Sequence, residues 1–339
     1  MSRRRVLVAR LDAAGDVLLA GPAVRAVAAR ADVVLLTGPR GTRAAELLPG
    51  VGEVLTWAAP WIEPAPAPDC HADHLDSLVT AVRARRCDEA VVLTSFHQSA
   101  LPTALALRLA GVRRITAISE DYPGSLLDVR VGDPGDVPEA RRALDVATAA
   151  GFALPAGDGG GLAVRRPLPE TNGLTGPGRY VVLHPGTSVP ARAWPEDRWA
   201  DTVRRLDRDG VRVVVTGGPG EESLTAAVAG GVACDLGGRT TLPALADVLS
   251  RAEAVVVGNT GPAHLAAAVG TPVVSLFAPT VPAARWAPYG VPLELLGDQQ
   301  APCRATRATR CPVPGHPCLA GVTAGDVVAA LGRLGTVAA

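Results

Sequence analysis

The chain has 339 residues, 33 of them basic and 33 acidic, so its formal net charge is zero. With 48% hydrophobic and 19% charged residues it is too apolar to be a disordered polypeptide. Aromatic residues at 3% and a neutral balance exclude a nucleic-acid binder built on a basic stripe and stacking platforms.

All 33 basic residues are arginine. The absence of lysine removes Schiff-base chemistry and any Walker-type phosphate lysine. The length points to two domains. No run of eighteen apolar residues occurs, and the stretch after Arg3–Arg5 is too short for a signal sequence, so a cytoplasmic protein without a membrane span is expected. Six cysteines over this length fit reduced thiols better than a disulfide framework.

In chain order, short apolar runs alternate with helix-like stretches. Arg5–Leu11, Asp32–Thr37, Glu53–Trp57, Glu89–Thr94 and Arg114–Ile118 read as buried strands. The helices among them are Asp16–Ala29, Leu75–Arg86 and Leu101–Ala110, with Pro22 kinking the first or sitting near an opening turn. Ala58–Pro68, rich in proline and alanine, reads as a surface loop placed like a lid, and His71-Ala72-Asp73-His74 as a solvated first turn. Ala153–Arg179, with four prolines and a glycine run, reads as a hinge.

A second series follows. Its strands are Tyr180–His184, Arg212–Thr216, Ala233–Leu236, Ala254–Gly258 and Pro272–Phe277. Its helices are Asp197–Arg208, Glu221–Ala229, Leu242–Arg251 and Ala263–Val269. A last helix, Ala324–Leu334, is expected to pack back on the first domain. Such alternation predicts an α/β protein of two Rossmann-like, doubly wound domains, residues 1–160 and 161–339, facing a central cleft that holds the ligand.

The turn Leu11-Asp12-Ala13-Ala14-Gly15-Asp16 lacks the G-x-G-x-x-G spacing, and no P-loop is present, which leaves no dehydrogenase or P-loop ATPase reading. Three strand ends of the second domain instead carry small or hydroxylated residues: His184-Pro185-Gly186-Thr187-Ser188, Thr216-Gly217-Gly218-Pro219-Gly220-Glu221-Glu222 and Gly258-Asn259-Thr260-Gly261-Pro262. Backbone N–H groups at a helix start bind anions without lysine, and Arg192 can add a planar clamp on phosphate. Glu221 or Glu222 suits a ribose diol. Asp16, at the opening of the first helix, suits a general base toward an acceptor hydroxyl, with the helix start keeping it ionised.

Together these residues resemble the glycosyltransferase family 9 heptosyltransferases, inverting enzymes of GT-B fold. The resemblance spans nearly the whole chain. It rests on Gly15-Asp16-Val17-Leu18 with Pro22, the His184–Ser188 segment, Arg192-Ala193-Trp194-Pro195-Glu196, Thr260-Gly261-Pro262-Ala263-His264, Gly270-Thr271-Pro272, and Arg285-Trp286-Ala287-Pro288-Tyr289-Gly290. It implies Asp16 as catalytic base and Thr187, Ser188, Thr260 and Gly261 at the donor phosphates. Arg192 stands in the place of the family's phosphate-binding lysine, Glu222 on the donor ribose, and His264 among the donor contacts. It also implies ADP-heptose as donor. Asn259 departs from the family's aspartate, although it can still cap the helix.

Cys303, Cys311 and Cys318 with His316 offer a Cys₃His set, but their spacing matches no common zinc module and the family carries a similar cysteine-rich stretch; no metal or other cofactor is expected. Residues 1–150 carry 17 arginines and 18 acids, and residues 151–339 carry 16 and 15. That balance suits a soluble glycan or small-molecule acceptor better than a phosphorylated lipid, with peripheral membrane contact left open. The alternatives are a nucleotide-sugar epimerase or hydrolase on the same fold, and a catalytically silent sugar-nucleotide binder.

Overall fold

A computed structural model describes residues 3–336, and the chain divides into two compact units between Arg165 and Arg166. The first unit holds strands β1 (Arg5–Arg10), β2 (Asp32–Thr37), β3 (Val51–Thr56), β4 (Glu89–Val92), β5 (Arg114–Ile118) and β6 (Val129–Val131). Its helices are α1 (Ala14–Leu19), α2 (Gly21–Ala28), α3 (Thr42–Leu47), α4 (Ala72–Arg85), α5 (Leu101–Leu109) and α6 (Glu139–Ala149). All pairings are parallel, in the order β3-β2-β1-β4-β5-β6.

The second unit repeats the plan. Its strands are β7 (Val181–His184), β8 (Val213–Gly217), β9 (Cys234–Gly237), β10 (Val255–Gly258), β11 (Val273–Leu276) and β12 (Leu293–Leu296), ordered β12-β11-β10-β7-β8-β9. Helices α7 (Asn172–Thr175), α8 (Glu196–Arg208), α9 (Glu222–Ala229), α10 (Leu242–Ser250) and α11 (Gly261–Val269) precede α12 (Ala283–Trp286), α13 (Pro317–Ala320) and α14 (Ala324–Arg333). Val6, Leu7, Val181, Val182, Val255 and Val256 are fully buried, as central strands covered on both faces require. Winding direction reverses between β1 and β4 and between β7 and β10, which puts the ligand crevice of each sheet beyond the carboxyl ends of those strands.

Several expectations are corrected. The helix expected over Asp16–Ala29 is two helices, because Pro22 lies in the first turn of α2, where its missing N–H costs no helical bond. The boundary between the units falls inside the stretch expected as a hinge, Ala153–Arg179, and each end of that stretch is bonded to its own unit. Asp158 accepts two bonds from Arg25 (2.7 and 2.9 Å), and the Arg165 amide donates to the Leu47 carbonyl (2.7 Å), which carries the first unit on to Arg165. Thr171 donates to Asp247 (2.7 Å), and Arg251 donates to the Asn172 side chain (2.6 Å), within the second unit. In the last helix, Val327, Ala330 and Leu331 belong to the second unit's core.

The loop expected as a lid is pinned at its start. Trp57 stacks on His74 at 4.6 Å, Trp61 Nε1 donates to Thr103 (3.2 Å), and Glu63 pairs with Arg40 (2.9 Å). His74 is therefore half-buried on an indole, with its Nε2 donating to the Ala58 carbonyl (2.8 Å), rather than solvated. Among the described residues no helix is long and apolar enough to cross a membrane.

Candidate functional site

In the first unit the crevice beyond β1 and β4 is organised by Arg10, the last residue of β1 and only 2% exposed. Its Nε meets Asp12 at 2.9 Å, and its Nη2 donates to Asp16 (3.0 Å) and to the Ser95 hydroxyl (2.8 Å). Behind it lie Glu139, 3.7 Å from Nη1, and Arg142, 3.8 Å from the same carboxylate. Gln98 closes the loop after β4 by donating to Asp12 (2.6 Å) and accepting from the Ser95 amide (3.0 Å).

Burial works to lower the Arg10 pKa, but the carboxylates of Asp12, Asp16 and Glu139 outweigh it and raise it above the ordinary value. For Asp12 burial prevails over the nearby guanidinium and its carboxyl is pushed up. Asp16 itself is half-buried in the first turn of α1, a six-residue helix without a side-chain N-cap. What holds its carboxylate is the Arg10 guanidinium. Sequence reasoning missed Arg10, Ser95, Gln98, Glu139 and Arg142. A usable signal was present, since Arg10 directly follows the buried apolar run Val6–Ala9 of a central strand.

In the second unit the residues expected to bind an anion gather beyond β7, β8 and β10. His184 is buried and its pKa falls to about 4 through burial, so it is neutral at pH 7; its Nδ1 lies 2.9 Å from the Thr216 hydroxyl and ties β7 to β8. Thr187 is half-buried and accepts from the Val189 amide (3.2 Å), while Ser188 is exposed. Arg192 donates to the Asn259 carbonyl (3.1 Å), which joins the loop after β7 to the loop after β10. Thr260 is the extended N-cap of α11 with no side-chain cap bond, Gly261 opens that helix, and His264 is buried one turn further on.

The two glutamates separate. Glu221 accepts from the Gly218 amide (2.7 Å), and its carboxylate occupies the space that a Cβ at Gly186 would take, so it shapes the two loops. Glu222 is exposed at the first residue of α9, with its carboxyl pKa lowered by hydrogen bonds from the backbone at Glu222 and Gly220. It lies against Gly238, where φ is +66° and a Cβ would overlap it, so only glycine fits there.

Asn259 is buried with a structural task. Its Nδ2 donates to the Ala278 carbonyl (3.3 Å) and its Oδ1 accepts from the Ala278 amide (3.4 Å), which clamps the ends of β10 and β11. An aspartate can accept but not donate. Asn259→Asp is therefore expected to destabilise the second unit by about 1–3 kcal/mol, the cost of an unpaired buried carbonyl facing a carboxylate. Thermal denaturation measures it, and an unchanged midpoint would show the clamp to be energetically idle.

Cys303 and Cys318 are buried, and burial with the neighbouring Cys303 and Cys311 thiols pushes Cys318 up to about 12. Among the described residues no group of three or more His, Cys, Asp or Glu side chains is arranged to hold a metal ion. His316 Nε2 donates instead to the Ala191 carbonyl (3.1 Å), and the Ala191 amide donates to Thr309 (3.0 Å), so the cysteine-rich loop braces the turn that carries Arg192.

Two sheets of identical strand order, each with charged or small residues at its switch point, make a two-domain, doubly wound α/β architecture. The family model for glycosyltransferase family 9 (heptosyltransferase) matches residues 77–316, and the chain belongs to that family. Lipopolysaccharide heptosyltransferase 1 of Pseudomonas aeruginosa is 35% identical over 164 residues, covering 43% of this chain and 45% of that protein. The curated relatives are matched over less than half their length.

Among solved structures, the family 9 glycosyl transferase of Veillonella parvula aligns with a TM-score of 0.76 at 18% identity, over 98% of this chain and 97% of that one. The Escherichia coli ADP-heptose lps heptosyltransferase II aligns at 0.71 and 20% identity, over 97% and 98%. These likenesses establish the GT-B fold, an α/β fold of two Rossmann-like units.

Proposed function

We propose that the chain transfers heptose from ADP-heptose to an acceptor hydroxyl, with inversion and without a metal, and that Asp16 is the general base. Family membership and the names borne by the relatives support the reaction class. The observation that carries the mechanism is the placement, at one sheet's switch point, of a carboxylate held by a guanidinium, and at the other's, of an uncapped nine-residue helix start beside Arg192.

In this reading the second unit takes the donor. Arg192, Thr187, Ser188 and the α11 start at Thr260 and Gly261 meet the diphosphate, whose charge grows as it leaves. Because they supply positive charge and N–H donors, the step does not require a cation. Glu222 accepts from the ribose diol, while Glu221 keeps its loop in shape. Asp16 takes the proton from the acceptor hydroxyl as its oxygen attacks the anomeric carbon from the face opposite the leaving group. A glycan of lipopolysaccharide type is the acceptor suggested by the relatives' names. The near-neutral charge count of residues 1–150 favours a second reading, a soluble glycan without dense phosphate.

Calorimetric binding of ADP-heptose against UDP-, GDP- and dTDP-sugars tests the donor, with ADP-heptose expected to bind tightest. Mass spectrometry of products with heptose-deficient lipopolysaccharide and with soluble glycans then tests transfer. Donor consumed without acceptor would point to the hydrolase or epimerase instead.

Arg192 supplies a further prediction. A guanidinium presents its donors in a planar fork that matches a phosphate, whereas an ammonium is a point charge without that fork. Arg192→Ala is expected to raise the dissociation constant for ADP about 10- to 100-fold, the worth of a charge-assisted contact. An unchanged constant by calorimetry would take Arg192 off the phosphates.

A further inference from the structure

We infer that Arg10 is the positioning residue for the reaction: its guanidinium, fixed by Asp12, Ser95 and Glu139, sets where the Asp16 carboxylate sits. This rests on the reading of Asp16 as base.

Helix α1 does not fix that carboxylate by itself. It is six residues long, and no side chain caps its start. A carboxylate in its first turn has χ1 and χ2 to set, and an error of about 1 Å in a base can cost roughly 10²-fold in rate. Arg10 meets that requirement. It lies at the end of β1, a central strand paired on both sides, and is 2% exposed. Its Nη2 donates to both Ser95 (2.8 Å) and Asp16 (3.0 Å), while Nε faces the Asp12 carboxylate as an ion pair (2.9 Å) and Nη1 the Glu139 carboxylate (3.7 Å). Asp12 is itself held by Gln98 (2.6 Å), and Gln98 by the Ser95 amide (3.0 Å), so the loops after β1 and β4 lock together around the guanidinium.

The consequence for chemistry is directional. With one Asp16 oxygen bound to a buried cation, the carboxylate plane is set by the sheet rather than by a mobile side chain. An arginine is suited to this task and a lysine is not, because one ammonium cannot span Asp12 and Asp16 in fixed geometry.

The test is a double-mutant cycle on ADP release from ADP-heptose, with water or heptose-deficient lipopolysaccharide as acceptor. Arg10→Lys keeps the buried positive charge. It is expected to lower kcat by about 10²-fold and to leave the KM for donor within about twofold. Added to Asp16→Asn, it is expected to cost no more than about threefold further, since the two residues act as a unit. Ser95→Ala, which loosens Nη2 without touching a charge, is expected to lower kcat about tenfold and serves if Arg10→Lys does not fold. A full effect of Arg10→Lys on top of Asp16→Asn would overturn the inference, as would a near-normal kcat in both Arg10→Lys and Ser95→Ala. Asp16→Asn inactive with Arg10→Lys and Ser95→Ala both near-normal sinks only this inference. Asp16→Asn active sinks the base reading and this inference with it.

Discussion

Asp16→Asn is expected to lower kcat by about 10³-fold, within the range general-base catalysis supplies, while the affinity for ADP changes by less than about twofold. The asparagine has the same shape, and its Oδ1 can still accept from Arg10 Nη2, which bonds the native carboxylate at 3.0 Å. Position is therefore kept and only proton acceptance is lost. On this reading the donor-binding residues lie in the second unit, so the defect falls equally on kcat and kcat/KM, the pattern of an interaction made in the transition state alone. Initial rates over a range of ADP-heptose concentrations, with calorimetry for ADP, separate the two. A kcat within about fivefold of the parent would remove Asp16 from the base role.

Glu139→Gln should be the most damaging conservative change to stability. Glu139 is 1% exposed and lies between two buried guanidiniums, Arg10 and Arg142, each itself under 5% exposed. Removing one member of a buried ionic group leaves uncompensated charge and typically costs about 3–5 kcal/mol. For a unit of this size that is on the order of 10 °C in melting temperature. Burial already lowers the Arg142 pKa, with Glu139 the largest opposing influence. Calorimetric scanning reads the loss. A midpoint within about 2 °C of the parent would mean that water or a rearranged carboxylate replaces the missing charge.

Much of the architecture was legible because buried parallel strands are short, apolar on both faces and separated by helices. Val181–His184 and Val255–Gly258 read directly from their valines. Elements without that signature escaped. Strand β6 is three residues at a sheet edge with none of them fully buried, and α6 reads as polar because its buried face contains Glu139 and Arg142. The same masking hid the core of the first site. A buried charge is recognisable only through its partners, and those of Arg10 come from positions 12, 16, 95 and 139. The second site was easier, since glycines, hydroxyls and Arg192 cluster locally after successive strands. Glu222 and Glu221 could not be separated by spacing; the Gly218 amide and the room at Gly186 distinguish them.

The brace on Ala191 changes how the cysteine-rich stretch should be regarded. Surface loops ordinarily tolerate gained or lost residues. This one touches both the amide and the carbonyl of a single residue, through Thr309 and His316, which are separated by only six intervening positions. Its length is thereby fixed by a distant turn, and Arg192, the next residue along, inherits its placement from chain laid down more than a hundred residues later.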